Sequence, residues 1–447
     1  MSPWPSTSRR SDDGTLTVGG CDVRDLAAEH GTPLYVLDEH DMRTRARAFR
    51  DEFGRAFQAH GARCEVFYAG KALLCSEVAR WMHEDGLGLD VASGGELEIA
   101  LRAGFPPEKI AMHGNNKSVQ ELTRALEVGV GRIVVDSLTE IALLEEIATR
   151  QGSPARILVR VTTGVHAGGH EYIATAHEDQ KFGLSLASGE AMKALTLAHE
   201  SAALDVMGIH THIGSQILSI EAFRESAHRM LALRSEFALA TGHELPEVDL
   251  GGGYAIAYLD EDESLTPGRA APAIADVIAD VMTSVGGQWP TFSIEPGRAI
   301  AGPAGITLYE VGVTKDASLD DGGTRRYIAV DGGMSDNMRP VTYGANYSAQ
   351  LASRESLAPP ILSRVVGKHC ESGDIVVREA HLPEDISRGD LLAVAATGAY
   401  GRSMSNNYNA LLRPAVVAVH EGASRVIVRR DTLADLFRSD VGPEEFQ

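Results

Sequence analysis

Cysteine is scarce in this sequence: four in 447 residues, at Cys21, Cys64, Cys75 and Cys370, with no CxxC pair among them. That scatter excludes a disulfide framework and a zinc ribbon, and leaves reduced thiols as the expectation. No apolar run approaches the roughly 20 residues needed to cross a bilayer. Residues 1–14 hold no apolar core of a leader peptide, so a cytoplasmic protein with no membrane contact is expected. Positive charge is in deficit, with 41 Lys and Arg against 62 Asp and Glu, and a net charge of −21 argues against nucleic acid or an anionic membrane as a partner. No GxGxxG follows the first strand-like run, which disfavours a dinucleotide-binding open sheet. Aromatics are few, at 6%, while glycine is abundant, with 46, as suits a loop-rich α/β enzyme.

What is present has a rhythm. Strand-like runs alternate with amphipathic, helix-like ones from about residue 64 to 298. The runs are Cys64–Ala69, Leu87–Val91, Ile110–His113, Arg132–Asp136, Arg156–Val161, Asp205–Ile213, Glu247–Leu250 and Thr291–Glu295. Between them lie helical segments such as Ser118–Val128, Ser137–Arg150, Glu190–Glu200 and Glu221–Leu239. Eight strand–helix units predict a (β/α)₈ TIM barrel. After about residue 308 the runs turn short and β-rich (Arg326–Val330, Ile361–Gly367, Asp374–Arg378, Leu391–Ala396, Ser424–Arg429), which predicts a second, all-β domain. Residues 15–40, with strands Leu16–Val18 and Pro33–Asp38, are expected to pair with that domain. The expected division is 1–42 as an N-terminal segment joining the β domain, 43–308 as the barrel, and 309–447 as a β-barrel or sandwich. Asp260–Thr266 is expected to be an acidic surface loop.

A barrel places its chemistry at the carboxyl ends of its strands. Lys71 follows the first, Asp90 ends the second, His113 the third; Arg160 lies near the end of the fifth, and His210 and His212 near the end of the sixth. Gly251-Gly252-Gly253 follows the seventh, and Glu295-Pro296-Gly297-Arg298 closes the eighth. A lysine at a buried strand end is costly unless paired, neutralised, or tied up as a Schiff base with a carbonyl cofactor. The alternative is a lysine that snorkels to solvent. The three glycines let backbone N–H groups approach an anion, and Gly297-Arg298 adds a guanidinium in the loops where such barrels bind phosphate. A tight turn explains the glycines alone. A phosphate site together with a Schiff-base lysine points to pyridoxal 5′-phosphate, with Glu295 as the carboxylate facing its ring nitrogen and His212 as a flat imidazole stacked on the ring. No metal site is expected, because the histidine pair shows no third ligand.

In order along the chain stand Tyr68-Ala69-Gly70-Lys71-Ala72, His113-Gly114-Asn115-Asn116-Lys117-Ser118, Lys181-Phe182-Gly183, His212-Ile213-Gly214-Ser215-Gln216, Gly251–Gly253, Glu295–Arg298, Asp331-Gly332-Gly333-Met334 and Cys370-Glu371-Ser372-Gly373-Asp374. With these the chain resembles, over essentially its full length, the fold-type III pyridoxal-phosphate-dependent decarboxylases, and specifically the diaminopimelate decarboxylases. The resemblance implies an alanine-racemase-like barrel with a β domain. It implies Lys71 as the cofactor's anchor, Glu295 at the ring nitrogen, His212 on the ring, and Gly252, Gly253, Gly297, Arg298, Ser215 and Tyr400 around the phosphate. Asp90 and Arg160 are implied as supports for the lysine and the cofactor. Arg298, Arg339 and Tyr343, with Tyr400 near them, are implied for the substrate carboxylate farthest from the reaction, and Glu371 for the distal ammonium. Cys370 is implied as a proton donor delivered from a partner subunit, hence an obligate homodimer with shared sites. The activity implied is decarboxylation of meso-2,6-diaminopimelate to L-lysine and CO₂, the last step of lysine biosynthesis by that route.

Two rivals remain at this stage. One is a sibling decarboxylase acting on ornithine, lysine or a carboxylated polyamine, against which Arg339 and Glu371 argue. The other is a non-catalytic regulator that keeps the fold without the cofactor, against which Lys71, Glu295 and Cys370 argue.

Overall fold

A computed structural model describes residues 2–165 and 180–442. The chain divides into two compact units, one formed by Arg43–Ala255 with Glu263–Ile300, the other by Met1–Met42, Ile256–Asp262 and Ala301–Gln447.

The first unit is a closed parallel barrel. Its strands are β1 (Arg63–Ala69), β2 (Gly88–Val91), β3 (Ile110–Met112), β4 (Arg132–Val135), β5 (Ala155–Thr162), β6 (Leu204–His210), β7 (Glu247–Asp249) and β8 (Thr291–Ile294). Each pairs in parallel with the next, and β8 returns to β1 with Thr291 opposite Arg63 and Ile294 opposite Val66. The expected TIM barrel is therefore present, with one systematic difference. His113, Asp136, Leu250 and Glu295 stand just past their strands, and β6 ends at His210, so His212 is not on a strand face shared with it. The polar side chains leave the ladder where the backbone turns toward the loops.

Local sequence explains those loops. Ser93, Ser118 and Ser137 each accept the N–H three residues on, from Glu96, Glu121 and Glu140, and so cap the helices after β2, β3 and β4. The glutamates reach back: Glu96 Oε2 accepts from Ala92 N (2.6 Å), Glu121 from Ser118 N (2.9 Å) and Glu140 from Asp136 N (2.9 Å). These reciprocal bonds satisfy orphan donors and hold each strand-to-helix turn short. On the barrel's flank Phe49 and Phe53, one helical turn apart, pack on Tyr254 at ring distances of 5.2 and 5.7 Å, with Phe223 stacked at 5.5 Å. That apolar seat anchors the residue directly after the three glycines.

The second unit is built on a long antiparallel and mixed sheet. Leu34–Asp38 pairs antiparallel with the 14-residue strand Gly305–Ser318 and parallel with Ala415–His420. Leu34, Val36, Ile306, Leu308 and Val417 form its core with Val18 and Val23. The expectation for Pro33–Asp38 holds. Leu16–Val18 instead pairs with Arg9–Arg10 and Cys21–Asp22 in a small sheet of its own, and reaches Ala352 through one backbone bond of 2.8 Å. Leu16 and Val18 nonetheless pack into the core of this unit. Ile256–Asp262, expected in part as a solvent loop, belongs to this unit: Ser348 N and Oγ donate to Tyr258 O at 3.1 and 3.0 Å. No described helix is long and apolar enough to cross a membrane.

Candidate active site

Lys71 lies in a single 3₁₀ turn, Gly70–Ala72, directly after β1. Gly70 and Ala72 are buried while Lys71 is exposed, as the solvent-facing alternative allowed. The turn reverses the chain at once, and Tyr68 Oη fixes it by donating to Leu73 O at 2.8 Å.

Around the strand ends lies a buried network of acids and imidazoles. Glu295 is 6% exposed. Its Oε1 lies 2.9 Å from His113 Nε2, and its Oε2 pairs with His210 Nε2 at 3.3 Å. The His113 contact lacks hydrogen-bond alignment, so Glu295 Oε1 is a buried oxygen with no hydrogen-bond partner. Burial opposes ionisation of Glu295, but the two imidazoles outweigh it and hold the carboxyl well below its ordinary range. His210 is pushed down to about 4, chiefly by burial. For His113 burial works downward, yet Asp90, 3.5 Å away, and Glu295 carry it above its usual value. Asp90 is raised to about 6 and Asp249 to about 8, each first by burial; Glu295 adds repulsion to both. Asp249 accepts from Gly251 N (2.7 Å) and Ser293 Oγ (2.6 Å), which ties β7 to β8. His113, His210 and Glu295 place three donor atoms within 4.8 Å of one another, a set that could hold a metal ion and that the sequence did not reveal. Each imidazole nonetheless faces one carboxylate oxygen, so the cluster is accounted for as an ion-pair network.

The glycines after β7 pack against neighbouring main chain. A Cβ on Gly252 would overlap the carbonyl oxygen of Glu295, and one on Gly253 that of Gly214; Gly297 leaves only 2.9 Å from a Cβ to Ala69. The ends of β6, β7, β8 and β1 are thus drawn together to a spacing that only glycine permits, with Gly251 and Gly253 at φ +68° and +101°. Gly252 N donates to His212 Nδ1 at 3.3 Å, which sets that nitrogen as an acceptor. Burial, then Lys71 and Arg160, hold His212 well below its usual value, so it is neutral. In the same corner Arg298 Nη2 donates to Ser215 Oγ at 3.0 Å.

Arg160 stands farther out on β5, its guanidinium 3.8 Å from Asp136 and 4.4 Å over the Phe182 ring. Below it Lys117 is buried, paired with Glu140 at 2.5 Å and donating to Gly114 O and Val134 O at 2.6 and 2.7 Å. Lys117, Glu140, Asp249, His113 and His210 received no role from the sequence. The visible signal for Asp249 was a carboxylate two residues before the first of three glycines.

The remaining expected residues lie in the second unit, in two groups. Arg339 is 4% exposed at the start of the short helix Arg339–Tyr343, with Tyr343 and Tyr400 around its guanidinium. Tyr400 holds the left-handed conformation at φ +63°. Cys370 and Glu371 are exposed on a tight turn. Asp374 organises that turn, accepting from Met334 N (2.6 Å), His369 N (2.8 Å) and His369 Nδ1 (2.9 Å), and Asn409 accepts from Cys370 N at 3.1 Å.

A family model described as the pyridoxal-binding domain of pyridoxal-dependent decarboxylases matches residues 39–302. The chain is 51% identical over 442 residues to a protein named diaminopimelate decarboxylase from Mycobacterium tuberculosis, covering 98% of this chain and 97% of that one. To the protein of the same name from Bacillus subtilis it is 42% identical over 435 residues, covering 97% of each. Among solved structures, diaminopimelate decarboxylase from M. jannaschii in co-complex with L-lysine matches with a TM-score of 0.91 at 32% identity, over 100% of both chains.

Proposed function

This chain belongs to the pyridoxal-dependent decarboxylases, among the diaminopimelate decarboxylases, and from that membership we propose that it converts meso-2,6-diaminopimelate to L-lysine and CO₂ in the cytoplasm, as the last step of lysine biosynthesis. The barrel residues fit pyridoxal 5′-phosphate. The charged Glu295 Oε1, ion-paired with His113 but not engaged in an aligned hydrogen bond, suits a protonated ring nitrogen, and a glycine-lined corner with Arg298 and Ser215 suits a phosphate. When bound, this cofactor supplies the electron sink into which the bond pair of the departing carboxylate delocalises.

The roles of the chain's own groups follow from their chemistry. Lys71 Nζ would hold the cofactor through its carbonyl carbon and is the amine the substrate's amine would have to replace. Glu295, kept ionised by His113 and His210, holds the proton on the ring nitrogen. His212, neutral and donated to by Gly252 N, would support the ring without competing for that proton. Gly252, Gly253, Gly297, Ser215, Arg298 and Tyr400 bind the phosphate, while Asp90 and Arg160 support the lysine and the cofactor. Arg298, Arg339, Tyr343 and Tyr400 take the distal carboxylate, and Glu371 the distal ammonium. Cys370 Sγ gives its proton to the carbon that lost CO₂. Cys370 and Glu371 come from a partner subunit, which makes the working form a homodimer.

The observation that carries this is Glu295 Oε1: a buried carboxylate oxygen held charged by two imidazoles and lacking a hydrogen bond. The L-lysine in the M. jannaschii relative is the product expected here. CO₂ release from meso-, LL- and DD-diaminopimelate, ornithine and lysine tests it. Turnover of the meso isomer alone is expected. Comparable kcat/KM for ornithine or lysine overturns the substrate assignment, and purified protein that shows no visible absorption band on adding pyridoxal phosphate overturns the enzyme assignment.

A further inference from the structure

We infer that Tyr258 and Tyr347 are positioning residues that pin one corner of the Arg339 guanidinium and thereby make a distal carboxylate the condition for tight binding. This rests on the proposal above that Arg339 receives that carboxylate. Arg339 is buried, yet among the described residues its hydrogen bonds go to two neutral phenols: Nη1 donates to Tyr258 Oη at 2.6 Å and to Tyr347 Oη at 2.9 Å. No described carboxylate forms an ion pair with it. The guanidinium carbon sits 5.1 Å from the Tyr258 ring centre and 5.8–5.9 Å from those of Tyr343, Tyr347 and Tyr400.

Phenols and ring faces hold a cation in place without neutralising it. A structural arginine this deep is normally matched by an acid, because an unneutralised buried charge is costly. Here both phenols act on the same Nη1, and among the described residues the edge carrying Nε and Nη2 makes no hydrogen bond. That edge is the one a planar carboxylate engages through two parallel bonds. A ligand without the carboxylate desolvates the guanidinium and leaves it unpaired, which is how a polar site rejects an analogue strongly.

The two tyrosines are themselves fixed. Tyr347 is 1% exposed and its ring meets that of Tyr258 edge-on, at 5.1 Å and 81°. Tyr258 N and Leu259 N both donate to Asp262 Oδ2 at 2.9 Å, and Tyr258 O accepts from Ser348. The acidic stretch after the seventh barrel strand is therefore a specificity element: Asp262 shapes the turn that presents Tyr258.

The test compares two ligands of the holoenzyme by titration calorimetry. L-lysine keeps the distal carboxylate, and 1,5-diaminopentane lacks it. Tyr258→Phe and Tyr347→Phe each keep the ring and delete one bond to a charged donor, a change of about tenfold to a hundredfold. The expected result is weaker L-lysine binding and a higher KM for meso-diaminopimelate by that factor, with 1,5-diaminopentane affinity and kcat within about twofold of the parent. Equal weakening of both ligands assigns the tyrosines a merely structural role and overturns the inference, as does unchanged L-lysine affinity in both variants. If the parent enzyme itself does not prefer L-lysine, the assignment of Arg339 fails first, which separates the two failures.

Discussion

Glu295→Gln keeps the shape of the side chain and removes its charge, and the structure predicts opposite effects on catalysis and stability. In the parent, both imidazoles favour the ionised carboxyl, so the proton on a ring nitrogen facing Oε1 is held by a full charge. An amide cannot do this. Loss of one preorganised charge of this kind costs about 10²–10³ in kcat, or roughly 3–4 kcal/mol. The same charge adds to the burial that raises Asp90 to about 6 and Asp249 to about 8, and it helps hold His113 above its usual value. A carboxyl whose folded value exceeds its unfolded one contributes stability that is complete below about pH 4 and is lost as pH rises through the folded value. Raised His113 behaves likewise, losing its contribution above its unfolded value of about 6.5. Removing the Glu295 charge lowers all three folded values, so less stability is lost on going from about pH 6 to about pH 8.5. The cofactor-free variant should therefore gain in Tm relative to the parent across that interval while its kcat on meso-diaminopimelate falls. A kcat loss below tenfold, or a Tm difference that does not change with pH, refutes the reasoning.

Cys370→Ala should slow turnover severely and leave the bound cofactor's absorption intact; full activity would remove its role as proton donor. Mixing it with Lys71→Ala protomers should restore part of the activity if sites are shared between subunits, and an inactive mixture would count against the shared dimer. Lys117→Met leaves Glu140 charged and unpaired beside two orphaned carbonyls, which should cost about 3–5 kcal/mol in chemical denaturation, with part regained in Lys117→Met/Glu140→Met. Gly252→Ala sets a methyl against the Glu295 carbonyl, so unfolding free energy should fall by about 1–3 kcal/mol and cofactor affinity with it; an unchanged cofactor Kd would contradict the close approach.

The strand rhythm made the barrel legible because parallel strands buried on both faces read as apolar runs, and each is followed by a helix with its own cap. The serines at 93, 118 and 137 with their glutamates three residues on are local signals that the structure uses as written. Ends of elements were less legible. His212 looked like a strand residue because Ile213 continues the apolar run, whereas the ladder stops at His210. Leu16–Val18, expected to pair with the β domain, lies in that unit but pairs only with its near neighbours, because three residues carry no information about their ladder partner.

The sequence by itself determined the eightfold alternation, the lysine after the first strand, the glycines after the seventh and the carboxylate after the eighth. Those are local properties, fixed by periodicity, by the conformational freedom of glycine and by charge at a strand end. Only the tertiary structure decided that Lys71 is exposed while Glu295 is buried between two imidazoles from other strands. It also decided that Arg339 is held by tyrosines rather than by an acid, one of them 81 residues away in the chain. Such pairings are made by closing a sheet and folding a loop, and the distance that sets their energy has no counterpart in the spacing of letters along the chain.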